Sequence, residues 1–503
     1  MIVVLSQGCA ANFGDGEKIA RILSQKSEVT FEFPEAKSAH TTKAENSTSA
    51  ANFTSKMTAN LENVASTSSK KPANLENSVN FAASHVEKPE AFYLNVCTVK
   101  GNAVAMKLLR KAASTFPGVP IYITGCAPKD FREEALRAVP NVQFTSLKEL
   151  ETSAQSPSNL ATAHPAQSPS SLINARTPGS NKIYRNVLRE SPFVGIVNIE
   201  EGCLDACAFC STHLVKGRLH SFAPQTIVDQ VQALVDDGCL EIQLTGQDCA
   251  CYGFDIGTNL AELTQRILTH VNGNYRIRLG MGNPRHVLGY QEALLDCFTD
   301  DRIYKFIHIP VQSGSENVLK AMNRRHTARD YAILAHAFTE RFSKFTLSTD
   351  LIVGYPGETA EDFNDTLKLL KETRPTVCNI TRFVARPGTV AAHLETSKPT
   401  HPESAKNSAH LATTTLAIPD DIKHERSAIL AEAFQQIALE NNREWIDDEC
   451  TVITEKQGYR AGTTIARNVA YRPVALQGTF PAGQTLRVRI TDAEPFALIA
   501  KPL

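Results

Sequence analysis

Residues 202–210 read Gly202-Cys203-Leu204-Asp205-Ala206-Cys207-Ala208-Phe209-Cys210, and they carry the strongest signal in the sequence. The spacing C-x3-C-x2-C places three thiols on one short loop. Thiolates are soft ligands that suit zinc or iron–sulfur clusters. A closed zinc site needs four ligands, whereas a cubane cluster held by three cysteines leaves one iron open for a substrate. The loop therefore favours an iron–sulfur cluster, with a zinc loop that has a distant fourth ligand, or incidental core cysteines, as the alternatives.

This loop follows the first of six apolar segments that alternate with helical patterns. The strand candidates are Phe193–Ile199, Leu240–Thr245, Arg276–Met281, Lys305–Ile309, Thr346–Val353 and Val377–Phe383. Helical periodicity follows the first five of them, as in Gln225–Val235 and Asn259–Val271. Parallel strands joined by helical crossovers predict an α/β fold with an open, partial (β/α)6 barrel over residues 186–395. In such barrels the chemistry sits at the C-terminal ends of the strands.

The first 150 residues predict a smaller parallel α/β sheet, with a low-complexity insertion at residues 36–90. The predicted strands and helices are Ile2–Leu5, Asp15–Leu23, Phe92–Val96, Ala103–Ala113 and Pro120–Thr124. Cys9, Cys97 and Cys126 each follow a predicted strand. Because the ends of parallel strands lie on one edge of a sheet, these three thiols can meet there and hold a second cluster. The alternative is three small core residues, since cysteine is commonly buried.

Two further segments divide the rest of the chain. Residues 151–185 and 396–421 are rich in small and polar residues, which is typical of linkers. Residues 422–446 predict a connecting helix, and residues 447–503 predict a small β-barrel. The predicted barrel strands are Thr451–Thr454, Ala475–Gly478, Thr485–Ile490 and Ala497–Ala500. Seven Lys and Arg stand against three Asp and Glu over residues 451–503, a net charge of +4, which predicts a basic patch.

Composition limits the classes of protein to which the chain can belong. It has 52 Lys and Arg against 53 Asp and Glu, which excludes a globally basic nucleic-acid coat. Its 12 cysteines in 503 residues are too few for a disulfide scaffold. No uncharged apolar run approaches the roughly 18 residues of a membrane span, and the first apolar run is too short for a signal peptide. We therefore expect a cytoplasmic protein that binds no membrane.

The cysteine loop resembles the signature of the radical S-adenosylmethionine (SAM) superfamily, in which an aromatic residue precedes the third cysteine. Phe209 fills that place. The resemblance implies a [4Fe–4S] cluster on Cys203, Cys207 and Cys210, with SAM on the open iron. Electron transfer to SAM would release a 5′-deoxyadenosyl radical that removes hydrogen from an unactivated carbon. The protein would position the reactants and exclude water.

Together with the N-terminal cysteines and the terminal β-barrel, the loop resembles the methylthiotransferase family. The resemblance implies a second [4Fe–4S] cluster on Cys9, Cys97 and Cys126 and a TRAM-like C-terminal domain that binds RNA. The stretches Gly217-Arg218-Leu219 and 251–257 are similar to the archaeal and eukaryotic branch. That branch adds methylthio at adenine C2 of N6-threonylcarbamoyladenosine, position 37 of tRNA, in a process that uses two SAM molecules.

Further stretches at predicted strand ends are also similar to that family. They contain Gln247, Asn283, Gly354, Gly357 and Arg386. Gln247 and Asn283 offer amide groups to SAM, and the two glycines allow the backbone to approach a ligand closely. Arg386 could contact substrate phosphate. For each residue a turn, cap or surface role is the alternative, and no catalytic residue is predicted beyond the cluster ligands.

The expected partners are the tRNA anticodon loop and an electron donor of the flavodoxin or ferredoxin type, and we expect a monomer. One alternative keeps the reaction but changes the target to isopentenyladenosine at position 37 of tRNA or to a ribosomal-protein aspartate. Another alternative is a non-enzymatic iron–sulfur RNA-binding protein. It would need an occupied fourth ligand on the cluster of Cys203 and no SAM cleavage.

Overall fold

The computed structural model describes residues 1–7, 10–34, 88–97, 102–155, 188–396 and 416–503. Most of the predicted insertion and of both predicted linkers falls outside these residues. The predicted linker at residues 151–185 begins inside a helix, which extends to Gln155. Among the described residues, no helix is both long enough and apolar enough to cross a membrane.

The N-terminal part of the chain forms a five-stranded, fully parallel sheet. Its strands are β1 (Ile2–Ser6), β2 (Val29–Thr30), β3 (Ala91–Val96), β4 (Ile121–Gly125) and β5 (Gln143–Phe144). They lie in the order β2-β1-β3-β4-β5. The helices around the sheet are α1 (Ala10–Leu23), α2 (Asn102–Thr115), α3 (Lys129–Ala138) and α4 (Leu147–Gln155). Every residue of β3 is buried, as expected for a central parallel strand covered on both faces.

The central part begins with a strand that leads into the cysteine loop. Its strands are β6 (Val194–Asn198), β7 (Glu200–Glu201), β8 (His220–Ser221), β9 (Glu241–Thr245), β10 (Arg276–Leu279), β11 (Phe306–His308), β12 (Thr346–Val353) and β13 (Val377–Arg382). Its helices are α5 (Thr212–Lys216), α6 (Pro224–Asp236), α7 (Leu260–His270), α8 (Pro284–Val287), α9 (Gln291–Cys297), α10 (Glu316–Ala321), α11 (Ala328–Arg341), α12 (Ala360–Thr373) and α13 (Val390–Thr396). β7 and β8 pair as a short antiparallel hairpin that flanks the loop.

The six predicted barrel strands are all present, and they form two parallel sheets. One has the order β10-β9-β6 and the other β11-β12-β13. The sheets meet where the Tyr304 N–H donates to the Ile277 carbonyl at 3.0 Å and the Gly282 N–H donates to the His308 carbonyl at 2.9 Å. β11 is only three residues long, and Pro310 follows closely and lacks an N–H, so no regular ladder joins the halves. The predicted α/β class and partial barrel are confirmed.

The C-terminal part is one long helix followed by a closed five-stranded barrel. The elements are α14 (Asp420–Arg443), β14 (Glu449–Gln457), β15 (Thr463–Asn468), β16 (Pro473–Gln477), β17 (Thr485–Glu494) and β18 (Ala497–Pro502). The strands close in the order β14-β15-β16-β18-β17, and only β16 and β18 pair in parallel. The sequence analysis predicted four of these strands and missed β15.

The C-terminal barrel docks onto the amino-terminal ends of the central strands. The Tyr471 hydroxyl donates to the Glu241 carboxylate at 3.0 Å, at the start of β9. The Arg472 Nε donates to the Thr346 hydroxyl at 3.3 Å, at the start of β12. The cysteine loop follows the carboxyl end of β6, so it lies at the opposite end of the sheets.

Candidate metal centre

The cysteine loop turns back on itself at a position that only glycine can fill. Gly202 has a φ of +80°, and a Cβ there would lie 2.0 Å from the Arg218 carbonyl oxygen. The Cys203 N–H donates to the Gly217 carbonyl at 3.2 Å, and the Cys210 N–H donates to the Cys207 carbonyl at 3.0 Å. Cys203, Cys207 and Cys210 are all partly exposed on this folded loop. The loop therefore presents its three cysteines toward incoming groups rather than burying them in the core.

The middle of the loop is fixed to the second half of the partial barrel. The Ala208 N–H donates to the Met322 carbonyl at 2.9 Å, and the Ala208 carbonyl accepts from the Ala391 N–H at 2.9 Å. The Phe209 ring packs on a small apolar cluster that includes Tyr355 and Phe383. Phe209 thus anchors the loop by packing, and its predicted contact with SAM stays a prediction.

Asp205 ties the loop to the segment after β10, a role that the sequence analysis missed. Its carboxylate accepts from Arg285 Nη1 at 2.7 Å, from Asn283 Nδ2 at 2.5 Å and from His286 Nε2 at 3.1 Å. Burial opposes ionisation of Asp205, but His286, Arg285 and Arg324 outweigh it and hold the carboxyl pKa at about 2. Asp205 is therefore a charged anchor that fixes the backbone between two of the cysteines.

Gln247 and Asn283, both predicted to contact SAM, lie beside the loop. The Gln247 Oε1 accepts from the Gly202 N–H at 2.7 Å. The Asn283 N–H donates to Asp248 Oδ1 at 2.9 Å. Neighbouring Glu200 accepts from the Asp248 N–H at 3.0 Å, and burial raises the pKa of its carboxyl to about 8. The side-chain amides of Gln247, through Gly202, and of Asn283, through Asp205, therefore help to hold the loop, and a role in binding SAM stays a prediction.

Arg324 is the cation nearest to the second cysteine of the motif. Its Nη1 donates to the Cys207 Sγ at 3.4 Å, and its Nη2 donates to the Pro310 carbonyl at 2.8 Å. Burial raises the pKa of the Cys207 thiol to about 11, and the guanidinium of Arg324 opposes that rise. A fixed cation beside a partly exposed thiol favours the thiolate, which is the form that binds metal.

The two predicted glycines lie in the turn after β12, and their observed contacts are with the C-terminal segment. Gly354 has a φ of +73°, and a Cβ there would lie 2.3 Å from Lys423 Cγ on α14. Gly357 has a φ of +83°, and its N–H donates to the Leu416 carbonyl at 2.9 Å. The positive φ values of the turn and the close contact with the C-terminal segment explain why glycine occupies both positions. The predicted close approach of this backbone to a ligand stays a prediction.

Arg386 lies where the N-terminal sheet domain meets the cysteine loop. It lines a small pocket together with Asn102, Pro128, Asp130, Ser211 and Pro387. Ser211 follows the last cysteine of the motif, and Pro128 lies two residues after Cys126. The predicted phosphate contact of Arg386 is untested, but the residue shares this pocket with close sequence neighbours of Cys126 and Cys210.

The edge of the N-terminal sheet brings together two of the three cysteines predicted there. Cys97 and Cys126 are buried just beyond the ends of β3 and β4, and Cys9 lies outside the described residues. Gly125 has a φ of +80°, and a Cβ at this position would lie only 2.3 Å from Asn95 Oδ1. The absence of a side chain therefore keeps the space beside Asn95 open. The side-chain oxygens of Asn95 and Asn12 and both amide atoms of Gln7 find no hydrogen-bond partner among the described residues. Orphaned polar atoms of this kind fit a polar group bound at this edge.

Lys216 connects this edge with the cysteine loop. Its Nζ lies 3.1 Å from Asp15 Oδ2 on α1 and 4.0 Å from Glu201 Oε1 on β7. The other Asp15 oxygen accepts from Asn198 Nδ2 at 3.1 Å, at the end of β6. Burial raises the pKa of Cys126 to about 11, with Lys216 opposing and Cys97 adding to that rise. The ion pair of Lys216 and Asp15 therefore lies between Cys126 and the helix that follows the cysteine loop.

Comparison with known proteins decides the family. A sequence profile of the radical SAM superfamily matches residues 197–370. The probable threonylcarbamoyladenosine tRNA methylthiotransferase of Archaeoglobus fulgidus is 34% identical over 424 residues, which are 82% of this chain and 91% of that protein. The chain belongs to the threonylcarbamoyladenosine tRNA methylthiotransferase family. The Pyrococcus horikoshii member is 33% identical over 78% of this chain and 85% of that protein, and the Drosophila pseudoobscura member is 27% identical over 84% and 72%.

Membership of this radical SAM family implies a [4Fe–4S] cluster and SAM as cofactors. The cysteine loop fits such a cluster, because its three cysteines are partly exposed on a backbone fixed by Gly202 and Asp205. Three thiols on one loop leave a fourth iron without a ligand from the motif, as SAM binding requires. Cys207 would be one of the cluster ligands, and Arg324 places a positive charge next to its sulfur.

The cationic side chains of the basic patch predicted on the C-terminal barrel are mostly paired or buried, so fewer of them are available to RNA than the linear count suggests. Arg472 is buried and donates to Asn442 Oδ1 at 2.5 Å. Arg467 pairs with Glu455 at 2.7 Å, and Arg460 pairs with Glu494 at 3.6 Å. Arg487 and Arg489 lie 2.9 Å and 2.5 Å from the two oxygens of Glu449, which precedes the counted window. A linear charge count cannot detect partners of this kind.

Proposed function

We propose that this chain transfers a methylthio group to C2 of N6-threonylcarbamoyladenosine at position 37 of tRNA, using two [4Fe–4S] clusters and two SAM molecules. The names of its relatives support the substrate. The cysteine loop would hold one cluster. Cys9, Cys97 and Cys126 would hold the auxiliary cluster. The proposal thus assigns SAM cleavage to the first cluster and the sulfur to be transferred to the second.

The observation that carries this proposal is the ion pair between Asp15 and Lys216. It joins α1 of the N-terminal domain to the helix that follows the cysteine loop, with an Nζ–Oδ2 distance of 3.1 Å. Cys126 lies close enough for Lys216 to influence its pKa. An ion pair between Cys126 and the cysteine loop supports a shared chamber in which sulfur would be delivered to an activated carbon.

The residues of the chain would position the reactants. The loop would hold the cluster and SAM, which when bound would provide the 5′-deoxyadenosyl radical needed at adenine C2. Asp205 and Gly202 hold the loop in one conformation, which keeps the reacting atoms in register. Arg324 balances the charge of the Cys207 thiolate, and Arg386 is available to a phosphate of the RNA.

Exposed apolar side chains near the loop support the binding of an extruded base. Leu204, Leu214, Val384 and Val390 are 50%, 56%, 61% and 61% exposed. Position 37 lies in a single-stranded loop, so extruding its base costs only a few kcal/mol. The apolar side chains would pack against the base while Arg386 binds the backbone. The anticodon loop is accordingly the proposed partner, with a flavodoxin- or ferredoxin-type electron donor, in a cytoplasmic monomer.

Nucleoside analysis tests the substrate directly. A strain that lacks its own threonylcarbamoyladenosine methylthiotransferase is complemented with this chain, and its digested tRNA is analysed by mass spectrometry. Methylthio-threonylcarbamoyladenosine should appear only with the active chain. Its absence would contradict the proposal, and methylthio-isopentenyladenosine or methylthiolated ribosomal-protein aspartate would identify the alternative target.

Two cysteine variants separate the roles of the clusters. Cys203→Ala should abolish 5′-deoxyadenosine production, because it removes a ligand of the cluster that binds SAM. Cys9→Ala should spare uncoupled SAM cleavage and abolish methylthio transfer. Anaerobically reconstituted protein should hold about eight irons per chain, and each variant about four. A wild-type content of about four irons, or turnover of SAM by the Cys203 variant, would refute the assignment.

A further inference from the structure

A fourth thiol lies against the cysteine loop, although it belongs to neither group of predicted cluster ligands. Cys251 ends a single 3-10 turn, Cys249–Cys251, after β9 and is fully buried. Its Sγ donates to the Asp248 carbonyl at 3.1 Å. The ligand atoms of Cys203, Asp248 and Cys251 all lie within 4.8 Å of one another. Two thiols and a carboxylate thus converge on one point beside the loop.

This spacing suits one metal ion better than two corners of a cluster. Zinc–sulfur bonds of about 2.3 Å in a tetrahedral site place two ligating sulfurs roughly 3.8 Å apart. Cysteines on a cubane cluster bind different irons, and their sulfurs lie farther apart than two sulfurs on one ion. The proximity of Cys203 and Cys251 is therefore the geometry of a mononuclear site.

We propose that Cys203, Asp248 and Cys251 bind one thiophilic divalent cation, such as Zn²⁺, in protein that holds no cluster on the cysteine loop. The cation displaces one proton from each thiol, so that two metal–sulfur bonds form and two protons leave to solvent. The carboxylate supplies the third bond. Water completes a four-coordinate site on the side where Cys203 is partly exposed.

The surroundings of Asp248 fix one of its oxygens and leave the other for a metal. Oδ1 accepts from the Ala250 N–H at 3.2 Å and from the Asn283 N–H at 2.9 Å. Oδ2 lies 3.7 Å from His286 Nε2, which is itself held by Asp205. A ligating carboxylate oriented by hydrogen bonds is the usual arrangement around a bound metal.

The proposed site and the cluster share Cys203, so they exclude one another. Cys207 and Cys210 take no part in the mononuclear site. The site would therefore compete with loading of the loop cluster, while the cysteines of the N-terminal sheet would be unaffected. This inference concerns the cluster-free chain and does not depend on the substrate proposed above.

Cobalt(II) is the probe for the test, because its thiolate complexes absorb in the near ultraviolet and its tetrahedral sites absorb in the visible. Every chain measured in this test, the one called wild type included, also carries Cys97→Ala and Cys126→Ala, because the thiols of the N-terminal sheet would bind Co²⁺ as well. The full-length chain is prepared anaerobically without iron and titrated with Co²⁺ and then with Zn²⁺ as competitor. We expect one tight equivalent with thiolate and tetrahedral bands. Cys251→Ala should weaken binding at least about 100-fold, since it removes a direct ligand. Cys249→Ala, at a neighbouring cysteine that is equally buried, should bind as the wild type does.

A second pair of measurements keeps the inference testable if a variant fails to fold. X-ray absorption of the Zn²⁺-loaded wild-type chain should give two sulfur ligands and two oxygen ligands. The Cys207→Ala variant should retain the cobalt bands. Three or more sulfur ligands, or cobalt binding that is lost in Cys207→Ala and kept in Cys251→Ala, would assign the ion to the motif cysteines and overturn the inference.

Discussion

Replacing Lys216 by methionine should uncouple the two halves of the proposed reaction. Lys216→Met keeps most of the side-chain volume and removes the charge that joins Asp15 to the helix after the cysteine loop. The side chains of Lys216 and Asp15 are only 18% and 9% exposed, so solvent cannot fully replace the lost partner. We expect methylthio transfer to fall while 5′-deoxyadenosine formation continues.

The magnitude follows from the geometry of the pair. Two unit charges 3.1 Å apart interact by about 5 kcal/mol at an effective dielectric constant of about 20. Desolvation offsets part of this, and removing one partner of a buried pair typically costs about 3–5 kcal/mol. Asn198 still binds Asp15, and Lys18 lies 3.8 Å from it, so about 2 kcal/mol is a reasonable net loss. If the whole loss of about 2 kcal/mol raises the barrier to methylthio transfer, the rate of transfer falls roughly 30-fold.

The assay measures both products from one reaction mixture, methylthiolated nucleoside and 5′-deoxyadenosine, at saturating SAM. Lys18→Met is the matched control, because Lys18 faces the same carboxylate from within α1 and joins no second domain. It should leave the ratio of the two products unchanged. Equal losses of both products in Lys216→Met, or the same ratio change in both variants, would refute the positioning role of Lys216.

Three further predictions concern the loop, the C-terminal barrel and the N-terminal helix. Gly202→Ala, whose Cβ would lie 2.0 Å from a carbonyl oxygen, should lose the iron of the loop cluster. Gly289→Ala, at a glycine without a positive φ and with nothing within 4 Å of its Cβ, should keep that iron, as iron analysis and thermal melting will determine. Glu449→Gln frees two arginines, so tRNA binding should tighten and its logarithmic salt dependence should steepen by about 1–2, measured by filter binding over a salt series. Burial raises the pKa of Glu17 from 4.5 to about 7. Between these two pH values the folded chain binds more protons than the unfolded chain, so the free energy of unfolding falls as the pH rises from 4.5 to 7. Glu17→Gln should remove that slope in melting temperature and add about 2–3 kcal/mol at pH 8.

The sequence could identify the cysteines but not the residues that hold them in place. Cys97 and Cys126 could be paired in advance, because equivalent ends of parallel strands must share an edge. The partners of Asp205, Lys216 and Cys207 could not, since they lie 80, 201 and 117 residues away along the chain. Contacts over such separations carry no local periodicity or spacing. Glu200 likewise reads as an ordinary polar strand residue until its burial is known.

The fold was more predictable than the site because its strands are apolar and bounded by turns. All six barrel strands and α14 lie within a few residues of their predicted positions. The missed strand β15 reads Thr-Thr-Ile-Ala-Arg-Asn, which has only one large apolar residue. β2 and β5 are two residues each and exist only because a neighbouring strand supplies their partners.

The position of the C-terminal barrel limits which part of the RNA it could contact. Arg472 of the barrel donates a hydrogen bond to Thr346 at the start of β12, and that strand ends at Val353. Seven residue steps at about 3.3 Å separate those ends by roughly 23 Å. A nucleotide at the cysteine loop, at the opposite end of the sheets, would therefore lie roughly 20 Å or more from the docking surface, which is about four to five times the ~4.8 Å spacing of neighbouring strands. We expect the barrel to contact the anticodon stem rather than position 37. The substitution Arg487→Gln should therefore lower tRNA affinity in filter binding, while nucleoside analysis should find the same modified base.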